Sequence, residues 1–294
     1  MIYLDLFSGI GGFALAVKRR FKNVESYHSE INHYANKVYN KHFPYSHSLG
    51  DVKNVSVSYF RERGGVDLFT AGFPCQSFSM EGKRRGFYDD NGKLFFKTIE
   101  LLRKISPRYF ILENVASMKS SFKDTITYMV KNNFDGRVFC SKLDSQYFSA
   151  QVRKRLFWTN FKINKVENKN KTCVQDILES GTALKNKAVT LTRKESGLCE
   201  NMMAFYTRRN IIFKEKTSLS KIDIFRISAS IKIHKEAEKI FRNFSPIERE
   251  RLQTFPDNWT SVGLSNNIRL KLLGNTVTVD VISHILNSIP KEEL

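Results

Sequence analysis

Short apolar segments alternate with segments of helical periodicity along roughly the first 160 residues of the chain. The apolar segments have the length of buried strands and lie at residues 2–7, 24–30, 67–73, 108–115, 137–143 and 155–161. Between them we predict helices, one ending at Phe21 after a glycine turn and the others at Asn32–His42, Lys93–Ile105 and Phe122–Asn132. This alternation is typical of an α/β fold with a mostly parallel sheet and helices on both faces. Ligand sites in such folds lie at the carboxyl ends of the strands.

The pattern changes near Asn164. Residues 164–171 (NKVENKNK) are polar and predict a linker or an exposed loop, and the chain from there to about residue 241 is basic and weakly periodic. Ser245 followed by Pro246 is typical of a helix start, and Thr278–Ile289 is an apolar helix candidate. We therefore expect a main domain at 1–163, a small second region at 164–241 and a C-terminal segment at 242–294 that returns to the main domain.

The charge of the chain indicates a class of partner. There are 48 Lys and Arg against 29 Asp and Glu, a net charge of +19, which favours a polyanion such as nucleic acid. A solubility bias, or the lysine-rich composition of an AT-rich genome, is the alternative. No apolar run approaches the roughly 18 residues of a membrane span, and the N-terminus lacks the pattern of a secretory signal, so we expect an intracellular protein. The four cysteines are widely spaced without a CxxC pair, which predicts neither a zinc site nor a disulfide framework.

The glycine-rich segment Asp5–Phe13 (DLFSGIGGF) follows the first predicted strand and opens a helix. Glycines at such a turn let the backbone approach a ligand closely, and the helix N-terminus offers free N–H groups. The segment is not GxGxxG, and a tight turn without a ligand explains it equally well. Glu30 ends the second strand, where a carboxylate can bind ribose hydroxyls, and Asp51 follows a possible third strand within reach of an adenine edge. Taken singly, both acids also fit solvated loop positions.

Residues 72–79 (GFPCQSFS) place a cysteine directly after a proline at a strand end. A free thiol is only slightly ionised at neutral pH, so a nucleophilic Cys75 needs positive neighbours or a helix terminus. An inert buried cysteine is the alternative, but it would not need a Pro-Cys-Gln turn in a polar, glycine-flanked loop. Cys75 is therefore the candidate nucleophile.

Two further motifs carry charged side chains. Glu113 begins ENV and emerges from the apolar strand RYFIL, where partial burial would raise its pKa and let it carry a proton near neutral pH. In QVRKR (151–155), Arg153 and Arg155 lie on one side of an extended segment and can hold a phosphate or a pyrimidine carbonyl. A basic edge strand is the alternative reason for this pair.

The motifs together carry a family resemblance. In chain order, DLFSGIGGF, Glu30, GDV, GFPCQSFSMEGKRRGF, ENV, QVRKR, SPIERERLQTFPDNW and LLGNTVTVDVI resemble the cytosine-5 DNA methyltransferase family. These blocks span residues 2 to 286, and only residues 164 to 241 lack a clear match. The resemblance implies a class I, S-adenosylmethionine-dependent enzyme of prokaryotic or phage type. Its fold would be a Rossmann-like methyltransferase sheet with a small target-recognition domain at 164–241.

The resemblance implies covalent catalysis. Carbon 5 of cytosine is too weak a nucleophile to take a methyl group directly, whereas a thiolate that adds to C6 makes C5 enamine-like. Loss of the C5 proton then expels the enzyme. This assigns the thiolate to Cys75, the binding and protonation of N3 to Glu113 and the contact with O2 to Arg155. Arg153 would lie beside Arg155 as the fourth catalytic residue, and Gln151 would orient the strand.

The implied methyl donor is S-adenosylmethionine, which leaves as S-adenosylhomocysteine, and no metal is implied. The adenine would lie against Phe7 and Ile31, the methionine part over the glycine turn, and the ribose on Glu30. A segment from the C-terminal part would close the pocket. The full expected set is Phe7, Ser8, Gly9, Gly11, Gly12, Glu30, Ile31, Asp51, Val52, Asn275 and Thr276.

The implied substrate is a cytosine flipped out of duplex DNA, which costs about a few kcal/mol. The segment Ser77–Asn91, with its basic run at 83–85, would close over the DNA as a lid, with an ordinary exposed loop as the alternative. The expected DNA contacts are Pro74, Gln76, Ser79, Lys83, Arg84, Arg85, Asn114, Gln151, Arg208 and Arg209. Arg193 and Arg226 are further candidates, and Thr190–Gly197 resembles a threonine-containing segment of the recognition region. Glu81 departs from the family pattern, which has a small polar residue in the lid.

Two other functions remain open. One branch of the family methylates transfer RNA, although the basic lid and the separate basic region favour DNA. A non-catalytic regulator with the same fold is the second alternative, and the presence of Cys75, Glu113 and Arg155 disfavours it. We expect a cytoplasmic monomer that modifies DNA in a restriction-modification system or for a phage. A cognate restriction endonuclease would act separately.

Overall fold

The computed structural model describes residues 1–74, 90–134, 136–167, 170–183, 185–191, 212–214 and 241–290. The chain divides into two compact units. Unit 1 consists of Met1–Asp144, Lys154–Val166 and Val279–Leu294, and unit 2 consists of Ser145–Arg153 and Glu167–Thr278. Among the helices of these described ranges, none is long and apolar enough to cross a membrane.

Unit 1 is built on a seven-stranded sheet. Its strands are β1 Ile2–Leu6, β2 Glu25–Ser29, β3 His47–Ser48, β4 Leu68–Gly72, β5 Tyr109–Val115, β6 Phe139–Asp144 and β7 Lys154–Thr159. They lie in the order β3-β2-β1-β4-β5-β7-β6. Strand β7 is antiparallel to both of its neighbours, and all other neighbouring pairs are parallel. The predicted α/β fold with a mostly parallel sheet is confirmed.

The helices of unit 1 cover a sheet that is buried on both faces. They are α1 Gly12–Arg20, α2 His33–His42, α3 Val57–Arg61, α4 Asp90–Ile105, α5 Ser120–Asn133 and, near the end of the chain, α9 Val279–Leu286. Every residue of β1 after Ile2 is buried. Leu4 and Leu6 belong to one core cluster with Phe60 of α3 and Phe95 of α4. Burial on both faces explains why the central strands have almost continuous apolar sequences.

The C-terminal helix α9 packs against α1, the helix that follows the first strand. Asp280 pairs with Arg19 at 3.0 Å, and Arg20 donates hydrogen bonds to Asn287 at 2.9 Å and to the carbonyl of Ile289. We expected an apolar helix at 278–289 in a segment that returns to the main domain. The structure has this helix, with α1 as its partner.

The described residues of unit 2 form a small antiparallel sheet and three helices. The strands β8 Thr182–Ala183, β9 Ile212–Phe213 and β10 Phe241–Arg242 lie in the order β10-β9-β8. The helices are α6 Val174–Ile177, α7 Pro246–Leu252 and α8 Asn266–Asn275. Helix α7 begins as the sequence predicts: the Ser245 side chain accepts a hydrogen bond from the amide of Glu248 at 3.1 Å, and Pro246 occupies the first turn.

The two units do not follow the predicted boundaries throughout. The polar stretch 164–171 does contain a boundary, between Val166 and Glu167. The segment predicted at 242–294, however, is divided: α7 and α8 pack on each other in unit 2, whereas α9 packs on α1 in unit 1. Ser145–Arg153 also belongs to unit 2. The assignment of catalysis and target recognition to these units stays a prediction.

Candidate active site

The glycine-rich segment forms a tight loop between β1 and α1. Phe7, Gly9 and Gly11 all have positive φ angles, of 56°, 57° and 85°. A Cβ atom at Gly11 would lie 2.5 Å from a ring atom of Phe43, so this position requires glycine for packing as well as for conformation. At Gly9 an added Cβ would meet only the carbonyl of Phe7, at 4.0 Å. The loop therefore packs tightly at Gly11 and is open at Gly9, where a ligand can approach the backbone.

Glu30 lies beside this loop at the end of β2. Its carboxylate accepts hydrogen bonds from the amide of Gly9 at 3.0 Å and from the amides of Ile31 and Asn32 at 2.9 and 2.8 Å. The side chain of Ile31 is exposed. The predicted proximity of Glu30 to the glycine loop follows from the parallel pairing of β1 and β2.

The side chains of Asp51 and Val52 lie in different environments. The carboxylate of Asp51 caps a short 3-10 turn at Val52–Asn54 by accepting from the amide of Lys53 at 3.0 Å. Val52 is buried in the hydrophobic core. The side chain of Asp51 thus lies at a turn next to β3, whereas that of Val52 contributes to packing.

Two polar atoms near the loop have no hydrogen-bond partner among the described residues. Ser8 is 5% exposed and its Oγ is buried without a partner. The carboxyl of Asp5 is fully buried, with Oδ1 accepting from the hydroxyl of Thr70 at 2.7 Å and Oδ2 left unpaired. A buried polar atom without a partner is costly, and a polar ligand can satisfy it. The orphaned Ser8 hydroxyl and the open backbone at Gly9 fit a cofactor with polar groups.

Asp5 was not among the predicted site residues. Burial raises its pKa to about 7, while the hydrogen bonds from Thr70 and Tyr3 act in the opposite direction. The sequence signal was present, because an acid in the middle of the strand IYLDL has no solvated position.

Asp5 makes the stability of the fold depend on pH. Because its pKa is higher in the folded protein than in the unfolded chain, the protonated carboxyl stabilises the fold, and that contribution is lost as the pH rises from about 4 through about 7. Asp5→Asn should therefore become more stable relative to the wild type as the pH rises from 5 to 8, by a few kcal/mol at most. Urea denaturation of both proteins at each pH measures this, and a pH-independent difference would contradict it.

Strand β4 ends in a firmly packed segment directly before Pro74. Phe73 is buried and its ring lies 5.2 Å from that of Phe95. The buried side chain of Asn114 donates a hydrogen bond to the carbonyl of Phe73 at 3.0 Å and accepts one from the amide of Val115 at 2.8 Å. We expected Asn114 to contact DNA. Its amide group instead holds the backbone that precedes Pro74.

Asn114→Ala should lower both stability and activity. It leaves the buried carbonyl of Phe73 and the amide of Val115 without their partners, at a cost of about 1–3 kcal/mol in the free energy of unfolding. Asn160→Ala is a matched control, because Asn160 bonds Phe110 and Arg108 at the opposite end of β5. Denaturant midpoints and methyl transfer at a temperature where both variants are folded test this. If the two variants were equally active, Asn114 would have no effect on activity beyond its contribution to stability.

Glu113 and Arg155 form an ion pair next to the end of β4. Strands β5 and β7 are antiparallel with Val115 opposite Arg155, which brings the Arg155 Nε to 3.1 Å from Glu113 Oε1. Both side chains are mostly buried, at 13% and 14% exposure. The other oxygen of Glu113 lies over Gly72, where an added Cβ would approach it to 3.4 Å. A carboxylate and a guanidinium, the predicted pair of base-binding groups, are thus adjacent to the end of β4.

Arg153 does not form the predicted exposed pair with Arg155. It is 3% exposed, and its guanidinium donates to the carbonyls of Leu191 at 3.0 Å, Gly274 at 3.2 Å and Thr276 at 2.7 Å. A guanidinium that is buried and bonded to three main-chain carbonyls is not available to a phosphate or a base. Arg153 is therefore a structural cross-link within unit 2, and the expectation of a catalytic contact is corrected.

Gln151 is not available for the expected contact with DNA. It is fully buried, accepts from the amide of Leu191 at 2.9 Å and donates to the carbonyl of Leu252 at 3.3 Å, so that expectation is corrected.

Among the other predicted residues, Gly12 is the buried first residue of α1 and Pro74 follows the end of β4. The rest fall into two groups. Asn275, which is exposed, and Thr276, whose carbonyl Arg153 holds, belong to unit 2, and their contact with the cofactor stays a prediction. The second group lies outside the described residues: Cys75, Gln76, Ser79, Glu81, Lys83, Arg84, Arg85, Arg193, Arg208, Arg209 and Arg226.

The chain is similar to known proteins along almost its whole length. The family model for C-5 cytosine-specific DNA methylase matches residues 1–291. The type II methyltransferase M1.ScrFI of Lactococcus lactis subsp. cremoris is 26% identical over 300 residues, which cover 96% of this chain and 76% of that protein. The type II methyltransferase M.NlaX of Neisseria lactamica is 28% identical over 306 residues, which cover 96% and 94%.

A solved structure supports the fold. The crystal structure of the S. pombe Dnmt2 methyltransferase matches with a TM-score of 0.73 over 98% of this chain and 97% of that one, at 20% identity. Since the family model spans nearly the whole chain, this protein belongs to the C-5 cytosine-specific DNA methylase family and is a DNA cytosine-5 methyltransferase.

Proposed function

We propose that the protein flips a cytosine out of duplex DNA and methylates its carbon 5, with Cys75 as the nucleophile. The observation that carries this proposal is the Glu113–Arg155 pair, which lies against Gly72 at the end of the strand that leads to Cys75. A carboxylate and a guanidinium together match the polar edge of cytosine, since one accepts from the exocyclic amine and the other donates to O2.

In the proposed reaction, the thiolate of Cys75 adds to C6 and forms a sulfur–carbon bond. Glu113 gives a proton to N3, which offsets the charge that the thiolate brings to the ring. Arg155 donates a hydrogen bond to O2 of the cytosine, which keeps the cytosine ring in the plane of the ion pair. After C5 has taken the methyl group, a water molecule accepts the C5 proton, and the electron pair of that C–H bond re-forms the double bond between C5 and C6. The bond between sulfur and C6 breaks at the same time and restores the thiolate, and N3 returns its proton to Glu113.

The proposed methyl donor is S-adenosylmethionine, whose sulfonium supplies an electrophilic methyl group when it is bound. The glycine loop would hold its methionine part, with the Ser8 hydroxyl as a hydrogen-bonding group. Glu30 would accept hydrogen bonds from the ribose, since its carboxylate lies at the end of β2 beside Gly9. Ile31, exposed directly after Glu30, would pack on the adenine.

The proposed polymer is double-stranded DNA. The net charge of +19 favours binding to the phosphate backbone. The segment 77–91 is the proposed lid and 164–241 contains the proposed recognition region; most of both lies outside the described residues. Two of the relatives that match this chain are named type II methyltransferases. We therefore propose a restriction-modification or phage modification enzyme that acts as a cytoplasmic monomer, with any cognate endonuclease acting separately.

Methyl-group incorporation tests the proposed function. Purified protein with radiolabelled S-adenosylmethionine should label duplex DNA at one short sequence and leave transfer RNA unlabelled. Bisulfite sequencing of the product should place the methyl group on carbon 5 of cytosine in that sequence. Labelling of transfer RNA without labelling of DNA would establish the RNA alternative. Binding of duplex DNA without transfer to either polymer would establish the regulator.

A further inference from the structure

A lysine borders the Glu113–Arg155 pair at the edge of the unit 1 sheet where the parallel strands end. Lys154 directly precedes Arg155, and its carbonyl accepts from the amide of Ala116, just beyond the end of β5, at 3.4 Å. Lys154 is exposed. A cytosine that is flipped out keeps its bonds to the DNA strand, so the phosphates on either side of it must pass over the surface that borders the base-binding pair.

Lys142 extends the positive charge across the outer strands of the sheet. Strands β6 and β7 are antiparallel, with Asp144 opposite Lys154 and Lys142 opposite Leu156, so the two lysines are diagonal neighbours on one face. Both lysines are exposed, whereas Asp144 is buried. Neither lysine forms an ion pair with any residue that the structure describes.

Helix α5 covers the same face and brings two more lysines to this edge. Thr127 accepts a hydrogen bond from Trp158 Nε1 at 2.9 Å and donates to the carbonyl of Lys123 at 2.7 Å, which places this side of the helix over β7. The helix begins at the edge of the sheet, where the amide of Lys123 donates to the carbonyl of Lys119 at 3.2 Å. The lysine patch, as we call this set, consists of Lys119, Lys123, Lys142 and Lys154.

The two lysines of α5 lie where a positive charge destabilises a helix. The N-terminus of a helix carries a partial positive charge, and α5 has neither an acid in its first turn nor a side-chain cap. Asp124 follows in the chain but pairs with neither Lys119 nor Lys123, and within the described ranges these lysines have no other acidic partner. Charges that cost stability and gain no ion pair in return indicate that they bind an external anion.

We propose that the lysine patch binds the phosphates that flank the flipped cytosine in duplex DNA. Its four ammonium groups lie at the edge of the sheet that carries the Glu113–Arg155 pair, so they hold the strand close to where the base is bound. Such contacts position the DNA without reading its sequence. The inference rests on the proposed function, because it needs duplex DNA as the substrate.

Three members of the patch can be neutralised together without touching the base-binding pair. The test variant combines Lys119→Gln, Lys123→Gln and Lys142→Gln, and it keeps Lys154 because that residue is the direct neighbour of Arg155. The measured quantity is the Kd for duplex DNA at a series of salt concentrations. Two duplexes serve as probes, one with the sequence that bisulfite sequencing identifies as methylated and one of random sequence.

The matched control removes the same amount of charge from the opposite edge of the sheet. It combines Lys22→Gln, which follows α1, Lys131→Gln in the last turn of α5, and Lys162→Gln, which follows β7. All three lysines are exposed. Because both triple variants lower the net charge equally, any difference between them reports the position of the lysines and not the overall field of the protein.

We expect the patch variant to reduce the slope of log Kd against log salt by about 0.9 for each phosphate contact that is lost, and the control to keep the wild-type slope. Kd should rise by the same factor on both duplexes, since phosphates carry no sequence information. The Tm of the patch variant should stay equal or rise, because positive charge is removed from the start of α5. Lysines with a merely structural role would lower the Tm and leave the slope unchanged.

A wild-type slope in the patch variant overturns the inference, as does an equal fall of the slope in the control. A slope that falls with transfer RNA but not with duplex DNA overturns it as well. Absence of methyl transfer to duplex DNA by the wild-type protein would instead refute the proposed function. A wild type that methylates duplex DNA, together with an unaffected patch variant, refutes the phosphate-binding role only, so the two failures are distinct.

Discussion

Cys75→Ser is expected to abolish methyl transfer, with a fall in kcat of at least about a thousandfold. A serine hydroxyl has nearly the same size as a thiol, but at neutral pH it is almost never ionised and does not add to C6. The substitution leaves the proposed cofactor-binding residues unchanged, so the cofactor should bind the variant as it binds the wild type. Single-turnover transfer to duplex DNA measures the loss, and calorimetric titration with S-adenosylhomocysteine measures the binding.

Cys173→Ser is the matched control for this variant. Cys173 lies at the start of α6, where its side chain caps the helix, and serine is a good capping residue. Its variant should therefore keep both stability and activity. Burial raises the pKa of the Cys140 thiol, which makes that cysteine unsuitable as a nucleophile. Methylation at a normal rate by Cys75→Ser would refute the proposed mechanism.

Trapping the covalent step gives a second measurement of the same prediction. Duplex DNA that carries 5-fluorocytosine at the target position should form a stable adduct, because fluorine at C5 cannot leave as a proton does. Peptide mass analysis should place the adduct on Cys75 in the wild type and find none in Cys75→Ser. An adduct on another residue would identify that residue, and not Cys75, as the nucleophile. If the wild type transferred methyl groups but formed no adduct, addition to C6 would be excluded.

The strands of unit 1 could be predicted because strands that are buried on both faces of a sheet have nearly continuous apolar sequences. Segments such as IYLDL and YFILENV are apolar almost throughout, and their ends in the structure agree with the predicted ends within a few residues. Helix α3, at Val57–Arg61, was not predicted. A helix of five residues is too short to show a helical period.

The division of the chain into units could not be predicted from local patterns. Helix α7 has a clear start signal and α9 a clear apolar pattern, but only their packing partners place one in unit 2 and the other in unit 1. The decisive partner of α9 is α1, near the start of the chain, whereas α7 contacts α6 and the next helix, α8. The same limit applies to 145–153, which is bonded to residues near 188 and 276.

In the candidate site too, the positions of residues in strands could be predicted, whereas contacts between residues far apart in the sequence could not. Glu113 and Arg155 could be selected because Glu113 lies near the end of one predicted strand and Arg155 begins another. Arg153 has the same residue type and an equivalent extended position, and the sequence gives no sign that its guanidinium is bonded to three carbonyls. The sequence analysis assigned no role to Asp5, because the glycines after it already explain the motif as a turn. An acid within an apolar strand is nevertheless unusual and indicates a buried carboxyl.

Glu113→Gln should slow methyl transfer about 10²- to 10⁴-fold with little change in the KM for S-adenosylmethionine. Glutamine has the same shape and its carbonyl oxygen can still accept a hydrogen bond from Arg155 Nε, so a hydrogen bond from the charged guanidinium replaces the ion pair at nearly the same place. What the variant loses is the ability to carry the proton that the mechanism delivers to N3. The effect should therefore appear in kcat.

The position of Glu113 makes this variant more informative than removal of the side chain. Its second oxygen lies over Gly72, so truncation would also open space beneath the strand that leads to the Pro-Cys turn. Glu100→Gln is the control, because Glu100 pairs with Lys97 and Lys104 on the surface of α4 and should be replaceable without effect on kcat. If Glu113→Gln kept a wild-type kcat and pH profile, the proton on N3 would have to come from another group, and Glu113 would serve only to hold Arg155. A fall in kcat that a cytosine analogue of higher N3 basicity partly restores would assign the proton transfer to Glu113 itself.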